Sequence, residues 1–303
     1  MDNNMVNKKV LCALVTCILV APIHLWSYDW PIGNGATQQQ INGTFMEYRE
    51  GSHFHDGIDI QAATDDMVHP VTNGTITLVR DNGTVRMEDA YGNKFWYIHL
   101  SQVDVSENQN VTTNSVIGTV SGHLHFGEGA DGSEVNPLRS GALNPFSDTD
   151  APTCFTTVKV FEDGTTNELN LTAVEGQVDF IIQAKDAISS PGHTNVAPYK
   201  VGYQIEGQTT WIYNIQFDDW LADTYLSNVY YPDSSTNSTY WYIPTNGMTA
   251  NDYWNSEWVE DGDYTLRIRV YDISGNYDES TFSITADNSA GVPAREGRAA
   301  INP

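Results

Sequence analysis

Basic residues are scarce in this chain. Over 303 residues, 14 Lys and Arg stand against 39 Asp and Glu, a formal net charge of -25. A phosphate polyanion needs a basic patch, so the balance argues against nucleic-acid binding. It argues equally against docking on an anionic membrane surface. It fits a soluble extracellular protein, whose self-repulsion a salty medium would screen. Cysteine is nearly missing: only Cys12, Cys17 and Cys154 occur. The first two lie in an N-terminal apolar stretch and would leave with it, so Cys154 is a lone thiol and no intrachain disulfide framework is expected. Leu, Lys and Arg, the good helix formers, are few, while Tyr, Trp, Thr, Asn and Gly are plentiful. That composition favours strands and turns, and the length allows about two domains.

Long apolar runs are missing as well. Val10 to Pro22 is apolar, but Pro22 and His24 interrupt it, and a membrane span needs about 20 apolar residues. With Lys8 and Lys9 ahead of it and Ser27 as a cleavage position, residues 1–27 read as a secretory signal. Leu25 and Trp26 are larger than the residues such a site prefers, and Thr16 argues against lipid attachment at Cys17. The expected localisation is secreted, periplasmic or cell-surface, with no membrane span after cleavage.

The mature chain opens at Tyr28-Asp29-Trp30-Pro31-Ile32. From Val68 to Leu100 it reads as a meander, with strands over Gly74–Arg80, Thr84–Asp89 and Lys94–Leu100. Asn73-Gly74 and Asn82-Gly83 read as hairpin turns, and Gly92-Asn93 as a third break. On the last of these strands Phe95, Tyr97 and His99 should share a face. Ser140–Pro152 is rich in Gly, Pro, Ser and Asp and is the best linker. Beyond it Gln177–Ala184, Tyr264–Tyr271 and Thr281–Ala286 alternate as strands, with turns at Asp261-Gly262-Asp263 and Ser274-Gly275-Asn276. This pattern suggests a β-sandwich over residues 153–287. Trp211–Trp258 is aromatic-rich and reads as an irregular insertion, more in keeping with packing than with a ligand platform. Residues 288–303 read as a disordered tail.

Three clusters carry chemistry. Gly122-His123-Leu124-His125-Phe126 places two imidazoles on one strand face, with Leu124 and Phe126 on the other. His55-Asp56-Gly57-Ile58-Asp59 spaces a histidine and a carboxylate four apart. Fully extended, their α-carbons would lie about 13 Å apart, too far for one tetrahedral metal, so the backbone must bend and Gly57 permits it. His99 lies near a strand end. Alone, each cluster fits a surface turn or a satisfied histidine; together, a neutral imidazole pair and a carboxylate would ligate a catalytic zinc and leave one position open. Sulfur ligands are absent from the clusters, against a structural zinc or a copper site.

These stretches resemble peptidase family M23, the lysostaphin/LytM-type peptidoglycan endopeptidases. His55-Asp56-Gly57-Ile58-Asp59 is similar to that family's HxGxD motif, Tyr97-Ile98-His99-Leu100 to its Y-x-H-L segment, and His123-Leu124-His125-Phe126 to its H-L-H-F segment. The resemblance covers about residues 28–140, and the order and spacing agree. It implies an all-β architecture: a LytM-type β-sheet groove domain over 28–140, a linker over 141–152, then an Ig-like β-sandwich. It implies that His55, Asp59 and His125 bind one Zn²⁺ and that His99 and His123 act as catalytic histidines. With no glutamate base of the HExxH kind, that pair carries the proton chemistry. The implied activity is hydrolysis of peptide bonds in peptidoglycan cross-links or another Gly-containing peptide. The alternatives are a non-catalytic relative that binds or regulates at the cell envelope, and a surface interaction protein dominated by its second domain. Two departures stand out. Only Thr119–Gly122 separates Gly118 from His123, where the family has a longer loop, which puts substrate preference in question. Asp65-Asp66 stands where a glycine is common.

Overall fold

The computed structural model describes residues 27–33, 35–50, 53–189 and 195–288. The expected signal and tail lie outside these residues, apart from Ser27 and Asn288. Ten strands fill the first half: β1 (Ile41–Gly43), β2 (Tyr48–Arg49), β3 (His53–Phe54), β4 (Ile58–Val68), β5 (Gly74–Arg80), β6 (Thr84–Asp89), β7 (Lys94–Val103), β8 (Asn110–Val111), β9 (Gly118–Ala130) and β10 (Ser133–Val135). Eight of them form one antiparallel sheet in the order β1-β4-β9-β7-β6-β5-β8, with β10 on β9; β2 and β3 pair separately. Side chains on the buried face, among them Ile58, Ile60, Tyr97, Leu124 and Phe126, are almost wholly inaccessible. The alternation that marked β5, β6 and β7 is therefore the signature of a sheet with one covered face.

Nine strands follow: β11 (Thr153–Glu162), β12 (Glu168–Leu169), β13 (Gln177–Lys185), β14 (Lys200–Ile205), β15 (Ile212–Gln216), β16 (Tyr240–Tyr242), β17 (Trp254–Asn255), β18 (Gly262–Tyr271) and β19 (Tyr277–Ala286). They make a five-stranded sheet, β12-β11-β13-β16 with β17 on β13, and a four-stranded sheet, β15-β14-β18-β19. Phe180 of the first meets Tyr203 of the second at 6.1 Å between ring centroids. One α-helix is described, Leu226–Val229, and no helix among the described residues is long and apolar enough to cross a membrane.

The structure corrects several readings. Asn82-Gly83 is the β5–β6 turn, with Gly83 at φ 76°. Asn73-Gly74 is not a hairpin turn, because β5 pairs with β6 and β8 and not with β4. Gly262 begins β18 and does not sit in a turn. The 211–258 stretch is not irregular throughout: β15 extends one sheet and β16 and β17 the other, and Tyr230, Tyr240, Tyr242 and Trp254 are fully buried. These segments are only two to five residues long, too short to display a strand period.

Candidate functional site

β4 and β9 run side by side, with Asp59 opposite His125 and Gln61 opposite His123. The i, i+2 spacing therefore delivers both imidazoles to the face that carries Asp59. His55 precedes β4 and folds back onto them. Its Nε2 lies 3.1 Å from Asp59 Oδ1 and 2.9 Å from His125 Nδ1, and His125 Nδ1 lies 3.4 Å from Asp59 Oδ1. Gly57 is needed there, though not for a positive φ. A Cβ on it would overlap the Phe126 carbonyl and stand 2.7 Å from His125 Nε2, so the glycine supplies room for close approach.

His99 reaches the same place by a bulge. Register slips on either side of Leu100, and His99 takes φ 69°. The strand rule put His99 on the face of Tyr97; instead Tyr97 is buried and His99 is exposed. A bulge re-aims a side chain in this way. The His99 ring lies 4.9 Å from that of His123 and 6.0 Å from that of His125. All five residues thus line one hollow of about 280 Å³, with Arg49, His53, Asp56 and Ile98. A second hollow of about 240 Å³ adjoins it through Asp56, Ile98 and His125 and continues past Trp96 to Glu134. A larger hollow of about 610 Å³, bounded by Tyr28, Tyr91, Glu128 and Arg139, includes none of the five.

The donor set fits a cation. His55 Nδ1 lies 2.8 Å from the Thr44 carbonyl. A carbonyl only accepts, so Nδ1 carries the hydrogen and Nε2 of the neutral ring presents a lone pair. Burial pulls the His55 ring down to about 4, with Asp59 opposing, so it is neutral near pH 7. Two lone-pair donors and a carboxylate oxygen then converge at 2.9–3.4 Å. Metal–ligand bonds of about 2.0–2.1 Å at tetrahedral angles separate ligand atoms by a similar distance. Without a cation, burial pulls His125 down, but Asp56 and Asp59 reverse this and leave it at about 9. Burial pushes Asp59 up, yet the two imidazoles hold it well below the carboxylate range.

Two residues given no role by the sequence brace this cluster. Arg49 Nη2 lies 2.7 Å from Asp59 Oδ2, which leaves Oδ1 for the imidazoles. Asp56 Oδ1 lies 3.0 Å from His125 Nε2, on the side of the ring away from His55. Arg49 reaches Asp59 only because β2 pairs with β3, and two-residue strands carry no periodicity to read. Asp56 lies inside the His55–Asp59 motif, beside a histidine expected to bind a metal, and that proximity was the available signal. Asp65, at φ 61°, explains the glycine preference at that position, since a left-handed residue suits Gly best and Asp tolerably. Where the family has a loop after Gly118, β9 runs on as a strand, bent at Gly122 with φ 96°.

A family model, described as peptidase family M23, matches residues 53–137. No curated protein matches the chain. Among solved structures, a zinc-containing peptidase from Vibrio cholerae is 21% identical, with 34% of this chain and 36% of that one covered and a TM-score of 0.29. The catalytic domain of the antimicrobial peptidase lysostaphin from Staphylococcus simulans is 22% identical, with 30% and 79% covered and a TM-score of 0.28. The chain thus spans about a third of the length of the Vibrio protein.

Proposed function

We propose, from the premise that residues 53–137 belong to peptidase family M23, that this chain is a zinc endopeptidase cutting peptide cross-links of peptidoglycan. The observation that carries the reading is the convergence of His55 Nε2, Asp59 Oδ1 and His125 Nδ1 beside a second pair of histidines. In this reading His55, Asp59 and His125 hold one Zn²⁺, which would polarise the scissile carbonyl and lower the pKa of a bound water toward about 7. Arg49 and Asp56 keep Asp59 and His125 in place. His99 and His123 take the proton from the attacking water and return it to the leaving amine. They also offer N–H donors to the oxygen on which charge builds. Burial and the neighbouring imidazoles His123 and His125 hold His99 below the usual histidine range, which favours its neutral, proton-accepting form at neutral pH. The substrate lies in the groove formed by the two joined hollows. The signal, where cleaved, delivers the enzyme to the envelope, and the sandwich of 153–287 braces the β2–β3 hairpin beside the site.

The test is mass spectrometry of muropeptides released from purified cell wall, with zinc content measured on the same samples. The active protein should release cross-link fragments, and a chelator should stop it. His123→Ala should keep its zinc and lose at least about 100-fold in rate. Unchanged release by His123→Ala would remove that residue from the mechanism, and zinc-loaded protein that binds cell wall without cutting it would point to the non-catalytic alternative.

A further inference from the structure

A second cluster lies away from the histidines. Asp148 precedes β11, Asp186 follows β13, and Asp272 follows β18. Each brings a carboxylate oxygen within 4.8 Å of the others. They are 6%, 4% and 1% exposed. Among the described residues no Lys, Arg or His forms a salt bridge with any of them. Three buried carboxylates of one sign need a compensating positive charge, a proton or a metal ion.

The surrounding hydrogen bonds orient the carboxylates and leave capacity over. Asp148 Oδ1 accepts from the amide and hydroxyl of Ser189 and from the amide of Asp150. Asp186 Oδ1 accepts from the Ala187 amide. Asp272 accepts from the amide and the side-chain Nδ2 of Asn276. Asp148 Oδ2, however, is buried with no partner. An orphaned buried acceptor calls for an explanation, and an ion is one. A cavity of about 20 Å³ touches Asp148 and Asp186 but not Asp272 and is otherwise lined largely by apolar side chains; it has room for one water-sized occupant next to two of the three carboxylates. The donors are all oxygen, and hard oxygen sets of this kind suit Ca²⁺ rather than zinc or copper.

We propose that Asp148, Asp186 and Asp272 bind one Ca²⁺, which clamps the segment leaving the first sheet onto both sheets of the second half. Carbonyls, the Ser189 hydroxyl and water complete the six to eight oxygens that Ca²⁺ takes. The site reaches across the molecule. Asp186 pairs with Val196, and the next residue, Ala197, accepts the Thr44 hydroxyl at 3.0 Å. Its assignment does not depend on peptidase activity.

The experiment uses the full chain, stripped of metals and reloaded with one equivalent of zinc, titrated with CaCl₂ by calorimetry and followed by thermal melting. One site is expected, with Kd in the range of about 10⁻⁷ to 10⁻³ M, and saturation should raise Tm by roughly 3 °C or more. Asp59→Ala should keep this response, because it alters the other site. Asp272→Asn should lose it while far-UV circular dichroism reports a folded chain; should that variant not fold, the unmodified chain decides alone. No heat and no Tm shift up to about 10 mM Ca²⁺ would overturn the site. So would an undiminished response in Asp272→Asn, or a calcium-indifferent gain in stability on that substitution, which would mark a cluster held together by protons.

Discussion

Gly57 carries no chemistry, yet the site closes around its missing side chain. The Phe126 carbonyl and His125 Nε2 both stand where a Cβ would go. The backbone carbonyl belongs to β9, which is paired on both sides, so it cannot retreat cheaply. Gly57→Ala should therefore cost about 1–3 kcal/mol, as overpacking does, and should weaken zinc binding at least tenfold by tilting His125. Urea unfolding and competition against a chromophoric chelator would read the two effects. An alanine variant with unaltered zinc affinity would show that the close fit at Gly57 does not hold His125 in place. At this scale the sequence was informative wherever spacing along one strand decides direction. His123 and His125 share a face because side chains alternate. It misled at His99, because a bulge is a two-strand event that one strand's pattern does not announce.

Between residue and molecule stands the β2–β3 hairpin, which the chain's alternation did not reveal. It holds Arg49 against Asp59 and ends one residue before His55. Its own support comes from far along the chain. The Tyr240 hydroxyl donates to Glu47, whose Oε2 lies 3.1 Å from Arg49 Nη2. Glu47 is 1% exposed, and burial raises its carboxyl to about 7 despite Arg49. A line of contacts thus runs from β16 through Glu47 and Arg49 to the proposed zinc ligand. Arg49→Met should lower zinc affinity about 10- to 100-fold, the usual effect of removing a partner that orients a ligand. Tyr240→Phe should act in the same direction by less than about tenfold, since Arg49 remains. Equal losses in the two variants, or none in Arg49→Met, would break the line. The strands β5, β6, β7, β13, β18 and β19 were legible because each alternates over six residues or more; β4 and β11, 11 and 10 residues long, were not, because a register shift interrupts each. β1, β2 and β3 were not, being two or three residues long.

Over the whole molecule, the Gly- and Pro-rich stretch after residue 140 suggested two bodies joined by a tether, but contacts across it are many. Val135 pairs with Asp219. The Asn136 amide and side chain donate to the carbonyls of Asp218 and Phe217 at 2.9 and 3.0 Å. Trp220 N donates to the Glu134 carbonyl, and Phe54 N to Asp223 Oδ1. The rings of Phe54 and Tyr48 pack on Tyr230 at 6.1 and 5.5 Å, and Phe54 also meets Trp220. Buried apolar residues of both halves form one continuous cluster. Loop composition reports where the chain turns, not whether the pieces on either side cover each other. Cutting after residue 150 would expose Tyr48 and Phe54, neighbours of Arg49 and His55, to water. The fragment 27–150 should therefore melt at least about 10 °C below the full chain, or without a cooperative transition, because losing a few kcal/mol of burial is a large part of net stability. Its zinc affinity should fall with its stability, since the hairpin holding Arg49 has lost its backing. Calorimetry of fragment and full chain, each with and without zinc, makes the comparison. A fragment that melts cooperatively at the full chain's Tm and binds zinc as tightly would mean that the second half merely touches the first, and that the line from Tyr240 to Asp59 carries no support.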